Sequence, residues 1–141
     1  MRGVVIGCGR VGSAVAKELA ADGWDVTVVD ENEDALTRLG AGWLGGFVIG
    51  HGMDTRVLES AGIADADVAV VSTDGDNTNV VIGQVLQKRY EVGTVVARVL
   101  DPARAKFYAD RGLPTVCPTQ TAVSALLEIA RKASRQRSAA S

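Results

Sequence analysis

The sequence Gly3-Val4-Val5-Ile6-Gly7-Cys8-Gly9-Arg10-Val11-Gly12 runs from a short apolar strand into a G-x-G-x-x-G turn. In dinucleotide-binding folds the first glycine allows the tight turn, and the second lets a pyrophosphate approach the backbone. The third lets the next helix pack closely on the sheet. These roles fall on Gly7, Gly9 and Gly12. Because a helix N-terminus attracts phosphate, the stretch predicts a nucleotide site at the start of the first helix.

An acidic residue follows at the distance that this kind of site requires. Asp30 comes directly after a second apolar run, Val26–Val29, and eighteen residues after Gly12. A carboxylate in this place accepts hydrogen bonds from a ribose diol and repels a 2′-phosphate. Asp30 therefore disfavours NADP. It does not distinguish NAD(H) from ATP, ADP or AMP, because all of them present the same adenosine ribose.

Apolar runs alternate with stretches of helical period along the chain, which indicates a series of βαβ units. This pattern predicts an α/β protein with a single doubly wound parallel sheet, Rossmann-like, in the order 3-2-1-4-5-6 with helices on both faces. Residues 1–130 are predicted to form this domain, and the basic residues 131–141 a disordered tail. The strands are predicted at Val4–Ile6, Val26–Val29, Gly46–Ile49, Val68–Ser72, Thr94–Val99 and Thr115–Cys117.

Helices are predicted between these strands from capping residues and apolar spacing. The first helix is predicted to begin near Val11, the second to cover Glu33–Leu39, and the third to run from the N-cap Asp54 to Ser60. The fourth is predicted to cover Asn77–Tyr90, the fifth to follow Asp101-Pro102, and the sixth to begin near Thr119. Their apolar residues are expected to face the sheet. These residues are Val11, Val15 and Leu19 in the first helix, Val81, Ile82, Val85 and Leu86 in the fourth, and Val123, Leu126, Leu127 and Ala130 in the sixth.

The composition narrows the class of protein. The chain is 47% apolar but only 4% aromatic, which suits a buried parallel sheet. A formal charge of −2 gives no electrostatic reason to expect a nucleic-acid partner. Two scattered cysteines predict neither a disulfide framework nor a metal site, and no apolar run approaches the roughly 18 residues of a membrane span. We therefore expect a soluble protein of the reducing cytoplasm.

In an open parallel sheet, ligands bind beyond the carboxyl ends of the strands, at the place where the strand order reverses. The loops after the first four strands should therefore surround one crevice. The candidate cofactor-binding residues in or next to these loops are Gly7, Cys8, Gly9, Arg10, Val11, Gly12, Asp30, Glu31, His51, Gly52, Met53, Ser72, Thr73, Asp74 and Asn79.

Several of these residues have two interpretations. Arg10 either reaches a phosphate or is solvated at the start of the helix, and His51 either contacts adenine or is an exposed loop residue. Cys8 is interpreted as a small residue that fills the turn. One residue of the polar cluster before the fourth helix is expected to cap that helix; the cluster is Asp74, Asp76, Asn77 and Asn79.

The sequence offers no set of acid–base residues for hydride transfer. A dehydrogenase needs a proton donor or acceptor near the nicotinamide. Neither Tyr90 nor Tyr108 is followed by lysine at the Tyr-x-x-x-Lys spacing, and His51 is the only histidine. We therefore interpret the nucleotide as a signal, and the protein as a sensor and not an enzyme. The alternative is a small NAD-dependent oxidoreductase that needs a partner for its catalytic groups.

Several segments together resemble a known family. The segment GCGRVGSAVAKEL, residues 7–19, is similar to the N-terminal nucleotide-binding domain of the Trk/Ktr potassium-uptake regulators, the RCK or TrkA-N domain. The resemblance extends from Met1 to about Glu128. Its other motifs are Val57–Ile63 with Ala64–Asp67, Val70–Thr73 with Asp74, Asp76 and Asn79, and Ala97–Pro102.

The resemblance implies a cytoplasmic subunit or domain that binds NAD(H) or adenine nucleotides and regulates a potassium channel or transporter. It also implies attachment to the inner face of the membrane through that partner, and homo-oligomers, dimers or rings, paired through the sixth strand and the helix after it. Val116 and the helix from Thr119 would supply that contact. Asn79 and Arg98 match recurrent polar positions of the family, which adds Arg98 to the cofactor-binding candidates.

Two features depart from the family pattern. The third loop reads Gly50-His51-Gly52-Met53, where the family usually has Gly-Asp-Ala-Thr. His51 in place of the acidic residue affects the adenine side of the site and could change the nucleotide preference. Many relatives also continue into a C-terminal ligand-sensing domain. The sequence therefore predicts either a stand-alone subunit or one domain of a larger protein.

Overall fold

A computed structural model of the chain describes residues 1–140. The strands are β1 (Arg2–Ile6), β2 (Asp25–Asp30), β3 (Gly46–Ile49), β4 (Val68–Val71), β5 (Thr94–Arg98) and β6 (Thr115–Val116). The α-helices are α1 (Arg10–Ala21), α2 (Thr55–Ser60), α3 (Asp76–Lys88), α4 (Pro102–Ala109) and α5 (Pro118–Ala140). Two short 3₁₀-helices cover Glu33–Leu39 and Ile63–Asp65.

The six strands form one parallel sheet in the order β3-β2-β1-β4-β5-β6. The doubly wound topology predicted from the sequence is confirmed. β1 lies at the centre, and the chain winds outward from it in both directions. In the register of the sheet Val5 lies opposite Val28 of β2 and Val70 of β4. A crevice therefore opens at the carboxyl end of β1, where the winding reverses.

Both faces of the sheet are covered, as the continuous apolar strands predict. Neighbouring side chains of β1 point to opposite faces, so that Val4 belongs to one buried cluster and Val5 to the other. The first cluster includes Leu58, Ile63, Ile82 and Leu86, and the second includes Val26, Val28, Ala35 and Leu39.

The predicted faces of two helices are confirmed only in part. Val15 and Leu19 of α1 pack against the core, and Ile82 and Leu86 of α3 are buried, as expected. One predicted residue of each helix is exposed instead. In α1 the buried residues are Gly12, Ser13 and Ala16, whereas Val11 is 45% exposed. Only small residues fit where α1 approaches the glycine turn. In α3 the face that contains Asn79 is buried, and Val81 is 41% exposed. The buried hydrogen bonds of Asn79 fix the rotation of α3, as described below.

The capping residues predicted for α2 and α4 are confirmed. Asp54 accepts a hydrogen bond from Arg56 N at the start of α2, and Asp101 accepts one from Ala103 N at the start of α4. The helix predicted over Glu33–Leu39 has these bounds but is a 3₁₀-helix, and Asn32 caps it. The strand bounds agree with the prediction to within one or two residues.

The last helix differs most from expectation. None of its residues is buried, so the predicted burial of Val123, Leu126, Leu127 and Ala130 is wrong within this single chain. The helix also continues to Ala140 instead of ending near residue 130. Residues 131–140 are mostly Ala, Arg, Lys and Gln, which favour helix without tertiary contacts. Residue 141 of the predicted tail lies outside the described residues. Within residues 1–140, no helix is both long and apolar enough to cross a membrane.

Candidate functional site

The crevice at the carboxyl end of β1 is a cleft of about 400 Å³. Its walls come from the loops after β1, β2, β3 and β4, as the topology requires. The predicted residues that line it are Gly7, Gly9, Asp30, Glu31, His51, Gly52, Ser72, Thr73 and Asp74. The predicted residues that do not line it are Cys8, Arg10, Val11, Gly12, Met53, Asn79 and Arg98.

Two of the three turn glycines are needed for the fold itself. Gly7 has a φ of +100°, and a Cβ there would lie 2.5 Å from the carbonyl oxygen of Ser72. A Cβ at Gly12 would overlap the carbonyl oxygen of Gly7. Any side chain at either position would therefore separate α1 or β4 from the glycine turn.

Gly9 is a glycine that neither its backbone nor its packing requires. Its dihedral angles, φ −80° and ψ −159°, are open to any residue. A Cβ built on Gly9 would have no protein atom within 4 Å, although Gly9 lines the cleft. The space in front of Gly9 is therefore large enough for ligand atoms to approach the main chain.

The first turn of α1 adds electrostatic attraction at the same place. Gly9 is the N-cap of this 12-residue helix, and no side chain caps it. The first backbone N–H groups of an α-helix have no partner within the helix, and its N-terminal end carries a partial positive charge. A negatively charged group in front of Gly9 would meet both, which is the arrangement that binds phosphate in proteins.

Asp30 is already hydrogen-bonded to the glycine turn. Cys8 N donates to its Oδ2 at 2.7 Å, and Asn32 N donates to its Oδ1 at 2.8 Å. A carboxylate offers about four lone-pair sites, so each oxygen can accept one more hydrogen bond. Asp30 therefore fixes the shape of the turn and still presents acceptors to the cleft, as a ribose diol requires.

Arg38 also lines the cleft, and the sequence analysis missed it. It lies in the 3₁₀-helix after β2 and donates from Nη1 to the carbonyl oxygen of Cys8 at 3.1 Å. Nothing in the spacing of the sequence marks it, because the contact depends on how this short helix folds back on the glycine turn. Among the residues that line the cleft, Arg38 is the only arginine or lysine.

His51 and Glu31 line the cleft on the side of β2 and β3. Met53 N donates to His51 Nδ1 at 3.1 Å, and His51 Nε2 lies 3.5 Å from Glu31 Oε1. In the neutral imidazole the proton is therefore on Nε2, on the side of Glu31. Met53 itself points outward and is 52% exposed. Gly52 is held closely, because a Cβ there would lie 2.6 Å from Ile6 Cγ2.

Asn79 supports the wall of the cleft from behind. It is 1% exposed, and its Oδ1 accepts from the backbone N–H of Thr73 at 2.9 Å and from the hydroxyl at 2.5 Å. Its Nδ2 donates to the carbonyl oxygens of Thr73 and Arg98 at 3.0 Å and 2.8 Å. These four bonds use the full capacity of the amide. Asn79 therefore joins the loop after β4 to the end of β5.

Arg98 and Asp76 strengthen the same connection. Arg98 Nη2 donates to Thr73 O at 2.7 Å and lies 3.9 Å from Asp74 Oδ1. Asp76 accepts from the backbone N–H groups of Leu100 and Asp101. The expectation that a polar residue caps α3 is wrong, because the N-cap is Gly75 and no side chain bonds to it. The side chains of Asp76 and Asn79 instead connect the start of α3 and the loop after β4 to the end of β5 and the turn after it.

The remaining three candidates, Cys8, Arg10 and Val11, lie beside the cleft. Arg10 is exposed at the start of α1. Cys8 is fully buried, and its Sγ donates to Ala35 O at 3.4 Å. Burial, and secondarily the charge of Asp30, raises the pKa of the Cys8 thiol. The side chain is thus a protonated filler of the turn.

A second cleft, of about 450 Å³, lies near the beginning of β2 and includes Trp24, Trp43 and Leu44. It is as large as the first but has neither a glycine turn nor a helix N-terminus. The choice between the two clefts therefore depends on their chemistry and not on their size. Within residues 1–140, no group of three His, Cys, Asp or Glu side chains is placed to hold a metal ion.

The fold and the cleft together define a Rossmann-like α/β domain. The family model of the TrkA-N domain matches residues 3–119. The chain belongs to the TrkA-N family. It is 38% identical over 124 residues to the Trk system potassium uptake protein TrkA of Streptomyces coelicolor, covering 88% of this chain and 56% of that protein.

The TrkA homolog of Methanothermobacter thermautotrophicus is 36% identical over 126 residues, which are 89% of this chain and 57% of that protein. This chain therefore spans a little more than half the length of these two relatives.

Solved structures share the fold. The TrkA-N domain of the Escherichia coli inner membrane protein YbaL has a TM-score of 0.78 at 18% identity, over 91% of this chain and 95% of that chain. The Shewanella denitrificans Kef CTD in AMP-bound form has 0.77 at 24% identity, over 89% and 77%. The GsuK channel bound to NAD has 0.66 at 20% identity, over 83% and 21%.

Proposed function

We propose that this chain is a nucleotide-sensing regulatory module that controls a potassium channel or transporter. The observation that supports this most is the open space in front of Gly9, between the N-terminus of α1 and the Asp30 carboxylate. The family adds the physiological context, since the relatives at 36–38% identity are named as potassium uptake proteins. The nucleotide acts as a signal, and the module has no catalytic role of its own.

The ligand is an adenine nucleotide, either NAD(H) or one of ATP, ADP and AMP. Its phosphates would lie in front of Gly9, and its adenosine ribose on the free lone pairs of Asp30. The adenine would then extend toward Glu31 and His51. The opposite end of the cleft, at Thr73, would take the second ribose of a dinucleotide or further phosphates. The negative charge of Asp30 disfavours NADP.

A second copy of the chain is the proposed partner of α5. The apolar residues Val123, Leu126 and Leu127 are 43%, 69% and 42% exposed. Val116 of the neighbouring edge strand β6 is 52% exposed. Val123, Leu126 and Leu127 share one side of α5 by helical spacing, and an exposed apolar helix face is typical of a protein interface. A dimer through α5, alone or within a ring, would act from the cytoplasm on a membrane-embedded transport subunit.

Isothermal titration calorimetry with NADH, NAD, ATP, ADP and AMP tests the nucleotide part of the proposal. Gly9→Val fills the proposed phosphate space, and Gly42→Val is its matched control. A Cβ at Gly42 also has no protein atom within 4 Å, and Gly42 lies outside this cleft. Thermal melting of each variant establishes that it is folded.

We expect at least one adenine nucleotide to bind the wild type and Gly42→Val with equal affinity. Gly9→Val should weaken this binding more than about a hundredfold, because the side chain occupies the place of the phosphates; this is about 2.7 kcal/mol. Binding that survives in folded Gly9→Val, or no binding of any of the five nucleotides to the wild type, would refute the proposed site.

A further inference from the structure

We propose that Arg38 is a specificity-determining residue of the cleft. Together with Asp30 it would recognise the 2′ position of the adenosine ribose. Arg38 supplies hydrogen-bond donors there, and Asp30 supplies the negative charge that rejects a 2′-phosphate. The inference rests on the proposed function, because it assumes that the cleft binds an adenine nucleotide with its ribose at Asp30.

The side chains of Asp30 and Arg38 both hydrogen-bond to the backbone of Cys8, one at its N–H and the other at its carbonyl oxygen. Cys8 N donates to Asp30 Oδ2 at 2.7 Å, and Arg38 Nη1 donates to Cys8 O at 3.1 Å. The carboxylate and the guanidinium are therefore held on the same part of the glycine turn. Both residues line the cleft. A ribose bound at Asp30 would therefore lie on the same part of the cleft wall as Arg38.

The position of Arg38 is fixed by its own short helix. Ala35 and Leu39 of this helix are 2% and 4% exposed and belong to the core cluster beneath β2. The Cys8 Sγ bond to Ala35 O, 3.4 Å long, joins the helix to the glycine turn a second time. Arg38 therefore needs no large rearrangement to meet a ligand, and the loss of its side chain leaves these anchors in place.

The charges of the cleft explain why Arg38 matters. Three carboxylates line the cleft, Asp30, Glu31 and Asp74, and Arg38 is the only arginine or lysine among the lining residues. A guanidinium has five N–H donors, and within residues 1–140 Arg38 uses one of them, in its hydrogen bond to Cys8 O. The other donors can serve ribose oxygens.

In folds of this type, an acidic residue accepts from the 2′-hydroxyl of NAD, whereas a nearby arginine accommodates the 2′-phosphate of NADP. This cleft contains both kinds of residue. The charge of Asp30 then decides against the phosphate, and neutralising that charge should let Arg38 accept it. The selectivity would therefore be set by a pair of residues and not by Asp30 alone.

The test is a titration of NADH and NADPH against four proteins: the wild type, Arg38→Ala, Asp30→Asn and the double variant D30N/R38A. We expect the wild type to bind NADH at least tenfold more tightly than NADPH. Arg38→Ala should weaken NADH about fivefold to tenfold, the effect of losing charge-assisted hydrogen bonds. Asp30→Asn should tighten NADPH at least tenfold, and the double variant should lose that gain.

Arg56→Ala is the matched control. Arg56 is an exposed arginine on α2 that pairs with Asp54, and it does not line the cleft. It should leave both affinities unchanged. Equal affinities of Arg38→Ala and the wild type for NADH would overturn the inference, and so would a wild type that binds NADPH as tightly as NADH.

Asp30→Asn removes one acceptor of the glycine turn and could impair binding for that reason. If this variant binds neither dinucleotide, the wild-type and Arg38→Ala titrations decide alone, by the same criteria. A failure of the inference remains distinct from a failure of the proposed function. In the first case nucleotides bind the wild type and Arg38 has no effect, and in the second no adenine nucleotide binds at all.

Discussion

The three glycines of the turn have three different physical roles. Gly7 needs a positive φ, Gly12 leaves no room for a side chain, and Gly9 faces open space in the cleft. The sequence motif alone predicts all three roles, because each follows from the course of the chain between β1 and α1. The distinction matters for experiments, since only Gly9 can be changed without damage to the fold.

Gly12→Ala should destabilise the fold by about 3 kcal/mol or more, at the upper end of what overpacking costs. The added methyl group would overlap the carbonyl oxygen of Gly7, a backbone atom that cannot move without β1. Urea unfolding followed by circular dichroism measures the change. Gly42→Ala, which has free space, should change the stability by less than about 1 kcal/mol. Equal stabilities of the two variants would contradict this account of the turn.

Asn79 makes a second residue-level prediction. Asn79→Ala removes four hydrogen bonds, so the half-buried N–H of Thr73 and carbonyl of Arg98 lose the amide as a partner, while Thr73 O keeps its bond from Arg98 Nη2. We expect a loss of about 2 to 4 kcal/mol in the free energy of unfolding. Asn77→Ala, an exposed neighbour on α3, should cost much less. Chemical denaturation of both variants compares them, and a small effect at Asn79 would mean that the β4 loop is held by other contacts.

The buried thiol gives a pH dependence. Burial raises the pKa of Cys8 above its ordinary value of 9.0. At pH values above 9 the unfolded chain therefore releases a proton that the folded chain retains, so stability should fall as the pH rises through this range. Cys8→Ala should reduce that fall. The check is a series of thermal melts between pH 7 and about pH 10; an unchanged alkaline slope in the variant would contradict it.

At the scale of elements, the strands, the caps of α2 and α4 and most of the helix faces could be predicted from sequence, but the cap of α3 and the exact rotation of α1 and α3 could not. Continuous Val-rich runs, and residues such as Asp54 and Asp101, act locally, so their patterns survive in any context. The face that a helix buries depends on its neighbours. Asn79 turns α3 so that Val81 points outward, and in α1 the close approach to the glycine turn favours Gly12 over Val11.

Some residues of the candidate site could likewise be predicted from sequence, and others could not. Gly7, Gly9 and Asp30 could be predicted, because the turn after β1 and the end of β2 are adjacent in every fold of this topology. Arg38 could not, since its contact with Cys8 depends on the exact fold of a short helix. Asn79 is a candidate from the sequence as well, but it lies behind Thr73 and does not line the cleft.

The exposed apolar side of α5 predicts self-association. Leu126→Glu should shift a dimer toward monomer, because Leu126 is 69% exposed in the single chain and a charge there would be buried in the interface. Ala125→Glu, on the opposite side of the helix, is the matched control. Sedimentation equilibrium measures the association constant. We expect a loss of at least tenfold for Leu126→Glu alone, and unchanged melting of both monomers at low concentration.

If both variants associate as the wild type does, α5 does not form the interface. If the wild type is monomeric at all accessible concentrations, the proposed pairing through α5 is wrong for this chain.

At the scale of the whole molecule, the parallel sheet creates two clefts of similar size near its opposite ends. The cleft near Trp24 and Trp43 offers aromatic surface, whereas the cleft at the carboxyl end of β1 combines the glycine turn, the start of α1 and Asp30. We assign the nucleotide to the cleft at the carboxyl end of β1. The sheet order could be predicted from the sequence, but the existence of a competing cleft could not.

The most direct test of this assignment is an NMR titration of the ¹⁵N-labelled protein with NADH and with ADP, following the backbone amides. We expect the largest shift changes at residues 7–12 and at Asp30, with further changes at 72–75 for NADH. Changes confined to Trp24, Trp43 and their neighbours, with the amides of the glycine turn unmoved, would contradict it.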